Sequence, residues 1–523
     1  WTTSMHVESV VFENLNIYAL QGFSATMALW QKVGLVVLML IYALLFRVQS
    51  NLKSKPNFTW SLVCVVFFGF LFNLSYSLLS TAVYKGIDQV PGLDVEVDME
   101  KSRKPTRDMI VMPVNVNFFH KAFFPTDKVM KNAKDFTPRV LTPKDKEILD
   151  TLGIVPDPVY PEPTKASYDK IVLIILESVH RDYINYYNKN IPQETTPFLN
   201  SLLTKYKKLN HYYSSAIPTT QGLNATYRSQ LIYDGDLPGA GQGSIYRTAQ
   251  KAGWKGIFMN ASSRYYNKEY LEYPNQFGME TYLAREDLAT WGYKGASGWG
   301  FHNDVLYDAT LKLLNAHKTD KLLLTTKTLD MHQPYPYYGF TFEEMPEAVG
   351  AQGTITVCGM YWVDRTLENF FKEVQRQGLM DDRTLFIVTS DHNPHSGGEY
   401  KDLVGEEIDK LPISPIPLIF ISKNMAPLEA IDEDAHASQE DLAPTLLYLM
   451  GLSTPKDFMG RNLLFPVDHP YALGYFGGKG YYYSADLHFI AKLNEAEPDT
   501  EAKDTLANYI MYHYVKRHIA NLK

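Results

Sequence analysis

The residues with the clearest chemical potential in this chain are Asp391 and His392, which end the stretch "TLFIVTSDH" that starts at Thr384. A run of β-type apolar side chains gives way there, abruptly, to a carboxylate and an imidazole. Two other apolar runs end in the same fashion, "KIVLIILE" in Glu177 and "KLLLTTKTLDMH" near Asp330 and His332. Taken singly, each has an ordinary explanation: Glu177 as a cap on the next helix, His332 or His392 as hydrogen-bonded turn residues. Gathered on one rim, oxygen and imidazole donors are what a divalent cation requires. A hydroxyl nucleophile is offered by "SSAIPTTQGLNATYRSQL", where Pro218-Thr219-Thr220 sits in a loop before residues able to start a helix. A hydroxyl there meets the positive end of the helix dipole, and a nearby metal lowers its pKa toward an alkoxide near neutral pH. The plain alternative is a helix cap.

The elements that must position these groups read as an α/β domain from about residue 166 to 523. Strands are expected at "KIVLIILES", "KLLLTTKTLD", "RTLFIVTSD" and "PIPLIFIS", and helices at "TPFLNSLLTKYK", "VDRTLENFFKEVQRQG" and "SQEDLAPTLLYLMG". Alternation of this kind predicts a mostly parallel sheet flanked by helices on both faces. Ligands then bind at the carboxyl ends of the strands, which is where the three tips above converge.

Upstream the composition changes. Residues 1–85 hold two apolar stretches, at about 28–46 and 58–84, each long enough to cross roughly 30 Å of hydrocarbon as a helix. The connection between them carries Arg47, Lys53 and Lys55 and no acid, whereas residues 1–27 carry Glu8 and Glu13 and no Lys or Arg. Positive-inside asymmetry puts the connection in the cytoplasm and everything after Tyr84 outside it. Because the chain opens on Trp1, further sequence is expected before it, with an odd number of additional spans if the true N-terminus is cytoplasmic. Residues 86–165, rich in Pro, Lys and Asp, read as an extracytoplasmic linker with short helices, one of them capped by Thr142-Pro143. The 523 residues carry a net charge of -8 and only two cysteines. The first excludes a general nucleic-acid binder, and the second excludes a disulfide framework or a CxxC-type zinc site.

The ordered set "VLIILESVHRDY", "ETTPFLNSL", "PTTQGLNA", "TLDMHQPY", "FIVTSDH" and "DLAPTLLYLMGL" resembles the alkaline phosphatase superfamily. Within it, the set is most similar to the membrane-anchored phosphoglycerol transferases and lipoteichoic acid synthases of the sulfatase-like branch. The resemblance implies a phosphotransferase. Glu177, Thr219, Asp391 and His392 would hold a divalent ion, Mn2+ or Zn2+ with Mg2+ possible, and Thr219 would be the catalytic nucleophile. Thr219 is preferred to Thr220 because a small residue, Gly222, follows it by three. His332 would steady the phosphate, and Tyr266, Asn267 and Lys268 would form an aromatic-Asn-basic headgroup clamp, with Lys in place of Arg. His395 and His436 are possible additional ligands for a second ion, although His436 lies in an acidic segment that equally suits a solvated loop.

In the implied reaction a phospholipid donor, phosphatidylglycerol or phosphatidylethanolamine, passes its headgroup to Thr219 and then to a glycan or polymer acceptor. The location implied is a bacterial cytoplasmic membrane, multi-pass, with the catalytic domain on its outer face. The runners-up are a phosphoethanolamine transferase and a phosphodiesterase of the same fold. A sulfate-ester hydrolase would need Cys or Ser in a C/S-x-P-S/A-R context, which neither Cys64 nor Cys358 has. "GYFGGKGYYYSADLHF" is expected to be a hairpin near the sheet edge.

Overall fold

The computed structural model describes residues 140–233, 243–266, 269–295, 300–332, 345–352, 354–394, 399–405, 413–493 and 501–520. The expected spans at 28–46 and 58–84, most of the linker, and Asn267, Lys268 and His395 lie outside these residues. Among the described residues no helix is long and apolar enough to cross a membrane.

β1 (Lys170–Leu176) forms because its apolar side chains, unbroken after the opening lysine and mostly β-branched, have nowhere to go but a doubly covered sheet. Val172, Ile174 and Leu176 enter one core cluster with the helices Asn303–Ala316 and Ile355–Arg376. Ile171, Leu173 and Ile175 enter the other, with the helices Ile245–Lys251 and Leu442–Leu449. The period-2 split of one apolar run between two cores is the physical meaning of a fully buried strand.

With β2 (Lys207–Lys208), β4 (Lys255–Asn260), β5 (Thr281–Leu283), β6 (Leu322–Lys327), β7 (Thr384–Ser390) and β8 (Leu418–Ser422), the sheet runs in the order β2-β8-β7-β1-β6-β4-β5. β7, β1, β6, β4 and β5 are parallel, while β8 runs antiparallel to both β7 and β2. The sheet is thus mostly parallel, as expected, with an antiparallel flank that periodicity does not reveal. The register Leu176↔Ser390 and Ile175↔Lys327 brings the ends of β1, β6 and β7 level, so the residues just past each strand share one rim.

A two-stranded parallel pair, β3 (His211–Tyr213) with β9 (His436–Ser438), lies apart from this sheet. The Tyr-rich stretch forms β10 (Ala472–Phe476), β11 (Lys479–Tyr483) and β12 (His488–Lys492), an antiparallel meander in a sheet of its own, turning at Gly477 and Gly478 with φ of 58° and 76°. The helix Pro143–Thr151 starts as its sequence predicts, with a reciprocal Thr142–Asp145 capping box and Pro143 in its first turn. Its Leu149 packs in a third cluster with Leu506, Tyr509 and Ile510 of the helix Glu501–Ala520.

Candidate active site

Three strand tips and one helix end build the site. After β1 the chain turns sharply through Ser178, a non-glycine residue at φ 52°. Two hydrogen bonds hold it there: its N–H donates to Asp391 Oδ1 at 2.8 Å and its Oγ to Glu177 Oε1 at 2.7 Å. Glu177 is thereby turned into the rim, 1% exposed. After β7, the Asp391 N–H donates to Leu176 O at 3.1 Å, and the His392 N–H donates to Asp391 Oδ1 at 2.8 Å. His392 Nδ1 lies 2.7 Å from the Asn393 carbonyl, which leaves Nε2 as the ring nitrogen facing the cluster. That Nε2 is 3.7 Å from both Glu177 Oε1 and Asp391 Oδ2.

One potential ligand atom from each of Glu177, Asp391 and His392 lies within 4.8 Å of the other two, and the three residues are buried. Asp391 Oδ2 is buried without a hydrogen-bond partner among the described residues. A buried carboxylate oxygen left without a partner is costly unless a cation meets it, so these residues fit a divalent ion.

Thr219 is the first residue of the helix Thr219–Arg228, and its Oγ1 is 3.4 Å from His392 Nε2. Thr220 Oγ1 is turned elsewhere, 3.1 Å from Tyr273 OH. The neighbours thus separate: Thr219 faces the cluster and Thr220 does not. Gly222 explains the close approach, since a Cβ on it would lie 1.9 Å from the Asp391 carbonyl oxygen.

The charges are tightly coupled. Burial pushes the Glu177 carboxyl up, but Lys327, with His332 and His392, outweighs it and holds the group well below the usual carboxylate range. Burial, together with the charge of Glu177, pushes Asp391 up. Lys327 Nζ is 2.5 Å from Glu177 Oε2. Sequence reasoning misses Lys327 because it ends an apolar strand as one cation with no motif around it.

The other predicted residues scatter. His332 is near enough to act on the Glu177 charge, and its N–H donates to Leu329 O at 2.9 Å. Asp330 leaves the rim: its carboxylate meets His302 Nδ1 at 2.8 Å and accepts from the Asn303 N–H at 2.9 Å and Trp362 Nε1 at 2.6 Å, anchoring the start of the helix Asn303–Ala316. The Tyr266 N–H donates to Ser263 O at 3.0 Å. Next to this stretch, Glu269 is buried with Asn260 Nδ2 at 2.8 Å and Tyr282 OH at 3.0 Å, and burial pushes its carboxyl up to about 7. His436 stacks on His211 with centroids 4.5 Å apart, and burial, with the charges of His211 and Arg461, takes it down to about 4. It lies outside the one three-ligand group found among the described residues.

Comparison with known proteins bears on the family and the fold. The chain is 27% identical over 370 residues to the lipoteichoic acid synthase of Staphylococcus saprophyticus, covering 64% of this chain and 54% of that protein. It is 21% identical over 431 residues to a lipoteichoic acid synthase-like protein of Bacillus subtilis, covering 76% and 66%. The chain therefore spans between about half and two thirds of the length of these relatives. Among solved structures, an alkaline phosphatase superfamily protein from Vibrio parahaemolyticus superposes with a TM-score of 0.58 at 16% identity, covering 74% of this chain and 98% of that one. The lipoteichoic acid synthase LtaP of Listeria monocytogenes superposes with 0.53 at 18% identity, covering 72% and 98%. Both likenesses extend to the fold, an alkaline phosphatase-like α/β domain. The family model described as Sulfatase matches residues 169–452, from the residue before β1 to just past the helix Leu442–Leu449, which is more than half the chain. With β1, β6, β7 and the Thr219 helix all inside that match, the chain belongs to the sulfatase family.

Proposed function

We propose that this protein is a membrane-anchored, metal-dependent transferase that moves a phosphoglycerol headgroup from phosphatidylglycerol to an extracytoplasmic glycan or polymer through a phospho-threonine intermediate. One observation carries the reading: Thr219 Oγ1 stands at a helix N-terminus 3.4 Å from His392 Nε2, against a buried Glu177–Asp391–His392 group. The similarity to lipoteichoic acid synthases supports the headgroup named.

Glu177, Asp391, His392 and Thr219 would hold the ion. When bound, it supplies Lewis acidity, lowering the pKa of a hydroxyl and offsetting charge on phosphoryl oxygens. Thr219 Oγ1 loses its proton and forms a bond to the lipid phosphorus, and the bond from phosphorus to the diacylglycerol oxygen breaks. Diacylglycerol leaves protonated, and the glycerol phosphate stays on Thr219. An acceptor hydroxyl then forms the new phosphoester and returns Thr219 to its free form. His332 steadies the phosphoryl group, and Tyr266, Asn267 and Lys268 bind the headgroup, Lys268 acting as a point charge. The apolar stretches 28–46 and 58–84 span the membrane, 86–165 link them to the catalytic domain 166–523, the end of that link being packed on the domain through the helix Pro143–Thr151, and the domain works on the outer face, close to its lipid donor.

The test is intact mass after incubation with Mn2+ and phosphatidylglycerol or phosphatidylethanolamine, with Thr219→Ala as control. The expected result is a Thr219-dependent glycerol phosphate adduct. An ethanolamine phosphate adduct would move the donor to the other lipid. No adduct and no Thr219-dependent diacylglycerol release from either lipid would overturn the proposal.

A further inference from the structure

Lys327, the last residue of β6, is 4% exposed, and the structure gives it a specific partner atom. The two oxygens of Glu177 are used differently. Oε1 accepts from the Ser178 hydroxyl at 2.7 Å and lies 3.7 Å from His392 Nε2, whereas Oε2 meets the Lys327 ammonium at 2.5 Å. The charges of Glu177, Asp391 and Glu269 all act on that ammonium. Their exposures are 1%, 0% and 4%, so one buried cation bonds Glu177 directly and feels the charge of two further buried carboxylates. Carboxylates buried away from water and acting on one another require compensating positive charge. Here the chain supplies part of that charge itself, on a side chain that cannot dissociate.

We propose that Lys327 is the resident counter-cation of the metal centre, a positioning residue that holds Glu177 by Oε2, leaves Oε1 as its single oxygen facing His392 and Asp391, and restricts the centre to one divalent ion. The inference rests on the metal-dependent reading above and deepens it. A second ion would need the same carboxylates that the ammonium already neutralises. The arrangement also has a cost, since the ammonium repels the ion that does bind. Removing the charge therefore tightens metal binding while leaving the metal-free protein with uncompensated buried carboxylates.

The experiment uses the full chain in detergent, stripped by chelator and titrated with MnCl2 by calorimetry, with thermal melting as the second readout. Wild type is expected to take up one equivalent. Lys327→Met is expected to bind it about tenfold or more tightly, to melt lower without metal, and to gain more in Tm on adding Mn2+. Lys327→Gln keeps a donor toward Oε2 without the charge. It should show the same tightening, and it carries the comparison if the Met variant fails to fold. Two equivalents in wild type would overturn the proposal, as would folded variants whose Mn2+ affinity is unchanged or weaker. A wild-type protein that takes up no divalent ion would overturn the metal-dependent reading, and this inference with it. One equivalent, unmoved by either substitution, overturns the inference alone.

Discussion

Replacing Gly222 by alanine is the sharpest test of how the site is held together, because two general effects oppose each other there. In a helix interior, alanine is favoured over glycine by about 1 kcal/mol, so propensity alone predicts a more stable protein. The added Cβ, however, would lie 1.9 Å from the Asp391 carbonyl oxygen and 3.0 Å from its carbonyl carbon. An ordinary contact begins near 3.4 Å, so the two backbones must separate by about 1.5 Å. The Asp391 side of this contact is pinned: Gln439 Nε2 donates to the same carbonyl at 2.7 Å, and the Asp391 N–H donates to Leu176 O at 3.1 Å. The helix Thr219–Arg228 must therefore yield, and Thr219 Oγ1 leaves its place 3.4 Å from His392 Nε2. Overpacking of this kind costs about 1–3 kcal/mol, enough to outweigh the propensity gain. Misplacement of a reacting group by about 1 Å costs on the order of 100-fold in rate. The expected outcome is a folded Gly222→Ala protein with lower Tm and about 100-fold slower Mn2+-dependent diacylglycerol release from phosphatidylglycerol vesicles. Its metal affinity should fall far less, since Glu177, Asp391 and His392 stay in place. Release within about threefold of wild type, at an unchanged Tm, would refute the reasoning.

Two further outcomes are set by the charges. Asp391→Asn keeps Oδ1 as the acceptor for the Ser178 and His392 N–H groups but removes a charge that burial and Glu177 both disfavour. Calorimetry should show Mn2+ affinity falling by at least about tenfold while the metal-free protein melts no lower than wild type; retained affinity would remove Asp391 from the ligand set. Glu440 is buried beside Asp441, with the Ser215 and Ser438 hydroxyls on its carboxylate, and burial, then the Asp441 charge, pushes it up to about 8 from 4.5. A carboxyl raised in the folded state contributes stability that is complete below about pH 4.5 and is lost as pH rises through about 8. Glu440→Gln should therefore flatten the decline of Tm between these limits, and an unaltered slope would exclude Glu440 as its source.

Much of this arrangement is legible in sequence because it derives from one-dimensional regularities. β1 and β7 are apolar runs whose ends are marked by the first ligand-type residue, so the chain alone places Glu177, Asp391 and His392 on a rim. The preference for Thr219 over Thr220 comes from the family resemblance, through the small Gly222 three positions on, and the structure supplies a reason in the approach of the helix to the Asp391 carbonyl. The antiparallel setting of β8 is not legible, since an apolar run carries no direction. The Tyr-rich stretch reads correctly as antiparallel pairing, but β10, β11 and β12 form a sheet apart from the main one, because alternation specifies a partner's type and not its identity.

The residues that sequence reasoning misassigns or misses share one cause: their roles are fixed by partners distant in sequence rather than by neighbours along the chain. Asp330 looks like a ligand because it comes after β6 beside His332, yet His302, Asn303 and Trp362 converge on its carboxylate from 27 or more residues away in sequence. Lys327 looks like the polar end of a strand, and only the parallel register of β1 with β6 puts it opposite Ile175, two residues before Glu177. The distinction bears on chemistry. The residues legible from sequence are those that would touch the ion or the phosphoryl group, while those that are not legible, Lys327 above all, decide how much charge the ligands have left to offer it. A site rebuilt from the motif alone would therefore reproduce the ligand types with too much negative charge. Lys327 is the residue by which this chain departs from that sum.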